Sequence, residues 1–525
     1  MSNTIFNEVG GKTMASIVKS FALSGVDAYE IDVETKTIEG QPLISIVGLG
    51  DMAVKEARER VESALTDQKY VFPQMKVVIN LAPSDLKKSG SHFDLPIALG
   101  LLLETKQIAS EKFASFGFIG ELSLNARLRA CTGILPMTIR AKESGIKNIV
   151  VPRDNIQEAS LVRGVTVYGF DTLRQVIDFL EGKELYNTSI FDIPLEEKVD
   201  PQKMDFQEVQ GQEAMLEYIV IAAAGGHNIL MLGTPGCGKS MIAKRIPTIL
   251  PSMTEEEALE VTKIYSVAGL TRGKGQLIKD RPFRAPHHNA STNSLIGGGN
   301  DAKPGEISLA HNGVLFLDEI AEFGKKTLEA LRQPMEDQEV TISRVRYTNT
   351  FPASFMLVAA MNPCPCGYYG NDKCRCSDYE VLKYRQKISG PILDRMDIQR
   401  YVQPVKFKDL SAGNYGTSSK VLRQRVEFAR KIQQERYKQI NGVNCNAQMG
   451  HALVKEFCQL EPEGERLLHM AYDRYLYSAR AFQKYLKIAR TFADMEGSEK
   501  IRKKDIAAAL MARDMERERA TMSVL

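Results

Sequence analysis

The sequence holds no apolar run long enough to cross a bilayer: the longest, Leu95–Leu103, is broken by a proline and a glycine and falls well short of the roughly 20 residues a span requires. No membrane partner is expected. The first residues lack a basic stretch followed by an apolar core, so no secretory signal is read there and a cytoplasmic protein is expected. An excess of charge of one sign is also missing, with 68 basic against 65 acidic side chains and a net charge of +3. Bulk electrostatics therefore neither demand nor exclude nucleic acid, and any polyanion site must be local. Eight cysteines in 525 residues are too few for a disulfide-stapled scaffold. No internal repeat is found. What is present is an average globular composition, 43% hydrophobic and 25% charged, in a chain long enough for several domains.

Residues 1–180 alternate short apolar runs (Leu43–Val47, Lys76–Leu81, Asn148–Val151) with helical periodicity (Met52–Leu65, Leu95–Leu103), an α/β pattern. Residues 181–205 lose that periodicity and collect glycine, proline and scattered charge, which predicts a linker. Residues 206–408 contain buried strand candidates, Asn228–Leu232, Gly313–Leu317 and Ser354–Ala360, each followed by a polar or glycine-rich turn. That pattern predicts a parallel sheet with its working residues at the strand ends. Residues 409–525 read as helical, with a mild basic excess.

Gly233-Thr234-Pro235-Gly236-Cys237-Gly238-Lys239-Ser240 follows one of these strands and opens a helix from Met241, as a phosphate-binding loop requires. The glycines let backbone N–H groups close around phosphates, Lys239 reaches the outer ones, and Ser240 is placed to hold Mg²⁺. ATP and Mg²⁺ are the cofactors this pattern implies. Some eighty residues on, Gly313–Leu317 ends in Asp318 and Glu319. Asp318 would hold the metal, and Glu319 would take a proton from the attacking water. The strand ending at Met361 presents Asn362, a neutral residue suited to orienting that water.

Two further segments carry chemistry. Cys364, Cys366, Cys374 and Cys376 supply four thiols in thirteen residues, a set that suits tetrahedral Zn²⁺, with free or redox-active thiols as the alternative. Glu339–Tyr347 alternates with a phase slip that predicts a β-hairpin turning near Ser343 and Arg344, with Arg346 beside the tip. Arginines so placed grip phosphates without reading sequence, although two of them do not make a patch. His287 and His288 have no third ligand at metal-binding spacing.

With these residues in place, the chain resembles the magnesium-chelatase-like AAA+ family, in its bacterial ComM/YifB branch. The most distinctive stretch is Arg284-Ala-Pro-His-His288, then Gly297-Gly-Gly299, then Pro304-Gly-Glu-Ile-Ser-Leu-Ala-His311 leading to Asp318. The resemblance implies an AAA+ parallel-sheet ATPase core with a C-terminal helical lid, assembled as a homo-hexamer. It implies Arg395, in Ser389–Arg395, as an arginine finger offered to the neighbouring subunit, and Arg480 as a second sensor from the lid. Val209–Gln212, with Gln210 and Gly211, resembles the adenine-side segment. Arg281–His311 resembles an insertion that projects into the ring pore, which would set His287 and His288 beside Arg344 and Arg346 as DNA contacts.

Residues 1–180 resemble the Lon-protease catalytic fold, of the ribosomal S5 domain 2-like type, through Phe116–Leu124 and Ile146–Pro152. Lon-type hydrolysis needs a serine and a lysine. Asp94 stands where the serine would fall, and Gly133–Met137 has no lysine, so peptide hydrolysis is not expected. Lys87 and Lys88 read as a solvated loop or a weak DNA contact. The family resemblance points to a DNA motor of the helicase or branch-migration kind, serving recombination and natural transformation. The alternatives are a metal-chelatase motor, against which stands the absence of a D-x-S-x-S motif, and a protein remodeller, for which Tyr368 or Tyr369 would be the pore aromatic.

Overall fold

A computed structural model of the protein describes residues 15–186, 204–271, 276–299, 302–344, 347–405, 416–440, 442–475 and 477–516. Most of the expected linker, the loop before the C-terminal helices and the last residues of the chain lie outside these. Among the described residues, no helix is long and apolar enough to cross a membrane.

The N-terminal region is built on a seven-stranded mixed sheet ordered 43–47, 76–82, 27–38, 16–24, 116–118, 148–152, 166–170. Ser16–Ser24 and Asp27–Ile38 pair antiparallel across a tight turn at Gly25, whose φ of +62° suits glycine. In the second strand Ile31, Val33 and Thr35 alternate inward, the period of two that a half-buried strand requires. Asp51 caps the helix Met52–Asp67 by accepting from Val54 N at 2.9 Å. The apolar run Leu95–Leu103 lies in the helix Asp94–Glu104, which is buried on nearly every face.

Two polar residues of this region are more deeply set than their sequence suggests. Lys88 is fully buried and donates to the Pro83 carbonyl, so it is neither a solvated side chain nor free for DNA. Asp94 is buried against Arg60, which donates to both of its oxygens at 2.7 and 2.9 Å.

Residues 206–405 form a five-stranded parallel sheet ordered 283–284, 314–317, 356–361, 229–232, 398–401. Its three central strands, 314–317, 356–361 and 229–232, are apolar throughout because both faces are covered. Ile229, Met231, Val314, Phe316, Val358 and Ala360 face the helix Glu213–Gly225 and residues of the C-terminal helices. Leu230, Leu232, Leu315, Leu317, Leu357 and Met361 face the opposite cluster, which includes the hairpin residues Val340, Ile342 and Phe351. The C-terminal helices Ser419–Tyr437 and Ala479–Met495 thus share one core with the sheet.

Among the described residues, the N-terminal region meets this core through the helix Glu255–Val267 and through the hairpin. The helix Glu255–Val267 lies against Ile134–Glu143: Gly133 N donates to Ser266 O at 3.1 Å, and Ser266 Oγ donates to the Glu158 carboxylate. Burial pushes Glu158 above the ordinary carboxyl value despite the donors Ser266 and Leu135 N. At the second place the Gly25 turn abuts the hairpin so closely that a Cβ there would lie 2.9 Å from Thr350 O, and Ser24 Oγ lies 3.4 Å from Asn349 Oδ1.

His92 gives the fold a measurable pH response. Its ring is buried, with Nε2 2.8 Å from the Phe21 carbonyl, and burial pulls its pKa down to about 4. An unfolded histidine takes a proton near pH ~6.5, so the stability this site contributes is complete above that value and is lost as pH falls toward the folded pKa, about 3 kcal/mol in all. His92→Gln can still donate to Phe21 but cannot titrate. Urea midpoints at pH 7 and pH 4.5 should therefore lie closer together in that variant than in the native chain.

Candidate functional site

The carboxyl ends of the parallel strands bring the predicted residues to one place. Gly236 and Gly238 have φ of +79° and +94°, a left-handed backbone that glycine adopts without strain and that turns the loop into the helix Lys239–Arg245. Lys239 is buried beneath the loop, its Nζ donating to Gly233 O at 2.7 Å, Thr234 O at 3.0 Å and Asn362 Oδ1 at 3.3 Å. Ser240 Oγ donates to Asp318 Oδ2 at 2.6 Å. A hydroxyl and a carboxylate oxygen side by side are hard oxygen donors of the kind Mg²⁺ takes. Five predicted residues, Gly233, Lys239, Ser240, Asp318 and Asn362, therefore belong to one constellation.

Glu319 leaves the strand in the left-handed region, φ +51°, so its exposed side chain diverges from that of Asp318. His288 Nδ1 lies 3.5 Å from Glu319 Oε2, and the His287 ring sits 4.1 Å from the His288 ring. The structure thus sets this pair against Glu319. Gln212, the end of the segment singled out for Gln210 and Gly211, donates to Gln403 O at 2.7 Å and to Cys237 O at 3.4 Å. It ties that segment to the loop. Only its nearness in sequence to Gln210 hinted at this.

Cys364, Cys366, Cys374 and Cys376 place one sulfur each within 4.8 Å of the others. Sulfur separations of 3.3, 3.8 and 3.7 Å link the first three. A tetrahedral site with Zn–S bonds of ~2.3 Å has sulfur edges of about 3.8 Å, so the set fits Zn²⁺. Backbone N–H groups of Arg375 and Tyr368 hold the Cys366 thiol well below a cysteine's ordinary value. Tyr369 lies under the Arg385 guanidinium, 5.1 Å from ring centre to Cζ, a packed position for a side chain considered as a pore aromatic.

Arg395 donates to Pro391 O at 2.8 Å and pairs with Glu336, its side chain only 13% exposed. In the single chain it is folded back onto its own subunit. Arg480 is exposed in the first turn of Ala479–Met495, capped by Ser478. The hairpin is present but displaced: Glu339–Arg344 pairs with Tyr347–Pro352, and Arg344 stands opposite Tyr347. The phase slip put the turn near Ser343 and Arg344, whereas pairing runs on to Arg344 and resumes at Tyr347; Phe351 of the second strand is buried. Arg346 lies outside the described residues.

Comparison with known proteins agrees with this geometry. Family profiles of the magnesium chelatase ChlI subunit match residues 33–155, 205–410 and, for its C-terminal part, 416–513. YifB of Escherichia coli is 40% identical over 504 residues, covering 96% of this chain and 97% of that one. The chain belongs to the magnesium-chelatase-like AAA+ family. Competence protein ComM of Haemophilus influenzae, 40% identical over 506 residues, spans 96% of this chain and 98% of its own length. A more distant likeness is to the DNA replication licensing factor mcm-6 of Caenorhabditis briggsae, 28% over 174 residues, or 33% of this chain and 18% of that protein.

In this AAA+ chain the lid and sheet are joined by a polar cluster that no local pattern announces. Asn228, just ahead of the strand Ile229–Leu232, donates to Arg395 O at 3.1 Å and accepts from Leu357 N at 2.8 Å. His227 Nε2 lies 2.8 Å from Thr491 Oγ1 of the lid, and its Nδ1 lies 3.5 Å from Asp397 Oδ2. Lys484, one turn after Arg480, reaches Asp397 Oδ1 at 3.7 Å. Burial opposes the charge on Asp397, but His227, Lys484 and Lys487 outweigh it and hold the carboxyl far below its ordinary range. Asp397→Asn leaves Lys484 facing a neutral partner and should destabilise the chain by about 2–3 kcal/mol. The second change Lys484→Met should recover part of that loss, as read by denaturant unfolding.

Proposed function

We propose that the protein is an ATP hydrolase working as a hexameric ring and moving DNA, as a helicase or branch-migration translocase in recombination and natural transformation. The observation that carries the ATPase reading is the convergence of Lys239, Ser240, Asp318, Glu319 and Asn362 at the carboxyl edge of one sheet. Lys239 would exchange its backbone carbonyl partners for the outer phosphates, a stronger, charge-assisted pairing. Glu319, held apart from Asp318, would accept the proton of the attacking water while Asn362 orients it. Bound Mg²⁺ supplies charge neutralisation on the phosphates, and Ser240 and Asp318 are the residues that would hold it. The four cysteines would hold a structural Zn²⁺.

Arg395 completes the site across the subunit seam once it leaves Glu336, and Arg480 approaches from the lid. For the load, DNA is supported by the likeness to a DNA replication licensing factor, and a role in competence by the likeness to competence protein ComM. The hairpin with Arg344 and Arg346 supplies the contact of matching charge. The family profile itself favours a chelatase motor as second reading. The cysteine insert and the absent D-x-S-x-S motif stand against it, and the packed position of Tyr369 weighs against a protein remodeller.

Lys239→Ala, Glu319→Gln and Arg395→Ala should each reduce steady-state ATP hydrolysis by at least about a hundredfold. Mixing the Lys239→Ala and Arg395→Ala proteins should restore part of the activity, because mixed rings contain seams with both groups intact. No recovery on mixing would show that Arg395 acts within its own subunit. DNA should stimulate the native ATPase, and ATP should drive movement of a branched junction. Equal turnover with and without DNA, together with an unmoved junction, would remove DNA as the load.

A further inference from the structure

We infer that the cysteine knuckle is a metal-dependent brace for the phosphate loop, so that Zn²⁺ occupancy sets how tightly nucleotide is held. This rests on reading the cysteines as a Zn²⁺ site and Gly233–Ser240 as the nucleotide loop. The chain runs from Asn362 through Pro363 directly into Cys364, so the first sulfur ligand is two residues from a group 3.3 Å from Lys239 Nζ. Past Cys364 the backbone turns, Gly367 N donating to Cys364 O at 3.0 Å, and Gly367 adopts φ +85°. There it packs directly on the loop: a Cβ on Gly367 would lie 2.8 Å from Pro235 Cδ and 2.9 Å from Pro235 Cγ. On the other flank, Arg385 donates to Pro363 O at 3.3 Å and covers Tyr369. The knuckle is wedged between Pro235 and the helix Asp378–Arg385.

Little else holds the knuckle in shape. No helix or strand lies between Met361 and Asp378, and from Cys364 to Ser377 only Cys364 and Gly367 are buried. A segment with so small an apolar core keeps one conformation through its cross-links, and the four sulfurs are the cross-link available. Without metal, Gly367 is free to leave Pro235, and Asn362 loses its anchor on the side away from the sheet.

The test measures Zn²⁺ content and the affinity for a fluorescent ADP analogue with Mg²⁺ on full-length protein. Native chain should carry about one Zn²⁺. Cys374→Ser/Cys376→Ser should lose it and bind the analogue about tenfold more weakly. Gly367→Ala should keep its Zn²⁺ and still bind more weakly, because the new methyl meets the proline ring. Adding Pro235→Ala, which removes Cγ and Cδ, should recover part of the affinity, and Gly367→Ala also stands in should the double cysteine variant not fold. Zn²⁺-free folded protein with native affinity, or Gly367→Ala binding as the native chain does, overturns the brace. Native protein lacking Zn²⁺ overturns the metal reading beneath it, and native protein that does not bind the analogue overturns the nucleotide reading.

Discussion

One backbone register underlies the proposed nucleotide site: Leu232 lies between Met361 and Tyr401 in parallel strands, and Gly233 N donates to Met361 O at 3.2 Å. Parallel pairing sends every strand in one direction, so the segments that leave it, at Gly233, Asp318 and Asn362, emerge on the same edge. Had Val314–Leu317 paired antiparallel, Asp318 would stand at the far end of the sheet from Ser240. Strands this short cannot fix such a register alone. It is held by burial on both faces, by the helix Glu213–Gly225 and lid helices on one and by the hairpin-side cluster on the other.

The loop Gly233–Ser240 was legible in the sequence because it needs a contiguous pattern, and the strands around it because burial on two faces leaves uninterrupted apolar runs. Arrangements that depend on distant parts of the chain were not legible. His227 meets Thr491 across 264 positions, and Asn228 reaches Asp397 across 169. Two neighbouring polar residues at the start of a strand gave no sign of either partner. Lys88 misled for the same reason, since a lysine beside a lysine reads as solvated until the path of the chain around it is known. The hairpin differs in detail because alternation locates strands but does not fix where the first one ends: pairing runs to Arg344, past the expected turn.

The placement of the charged groups is consistent with a site that is incomplete within one chain. Lys239 gives its ammonium to backbone carbonyls, and Arg395 gives its two terminal nitrogens to Pro391 and Glu336 while its buried Nε has no partner among the described residues. Both are cations with partners inside the chain, which lowers the cost of holding them there. The lid cluster around Asp397 adds a covalent proximity between these elements. The carboxylate that meets Lys484, one turn from Arg480, sits two residues after Arg395.

The N-terminal region holds the helix Glu255–Val267 through Ser266 and Glu158, and holds the hairpin through the Gly25 turn at Thr350. Two attachment points on one region work as a jig. The helix Glu255–Val267 and the hairpin are tied to a common frame, so neither can shift by itself without parting from its seat. If the chain works as the proposed ring motor, a stroke either carries the whole N-terminal region with it or begins with the release of one of these two seats.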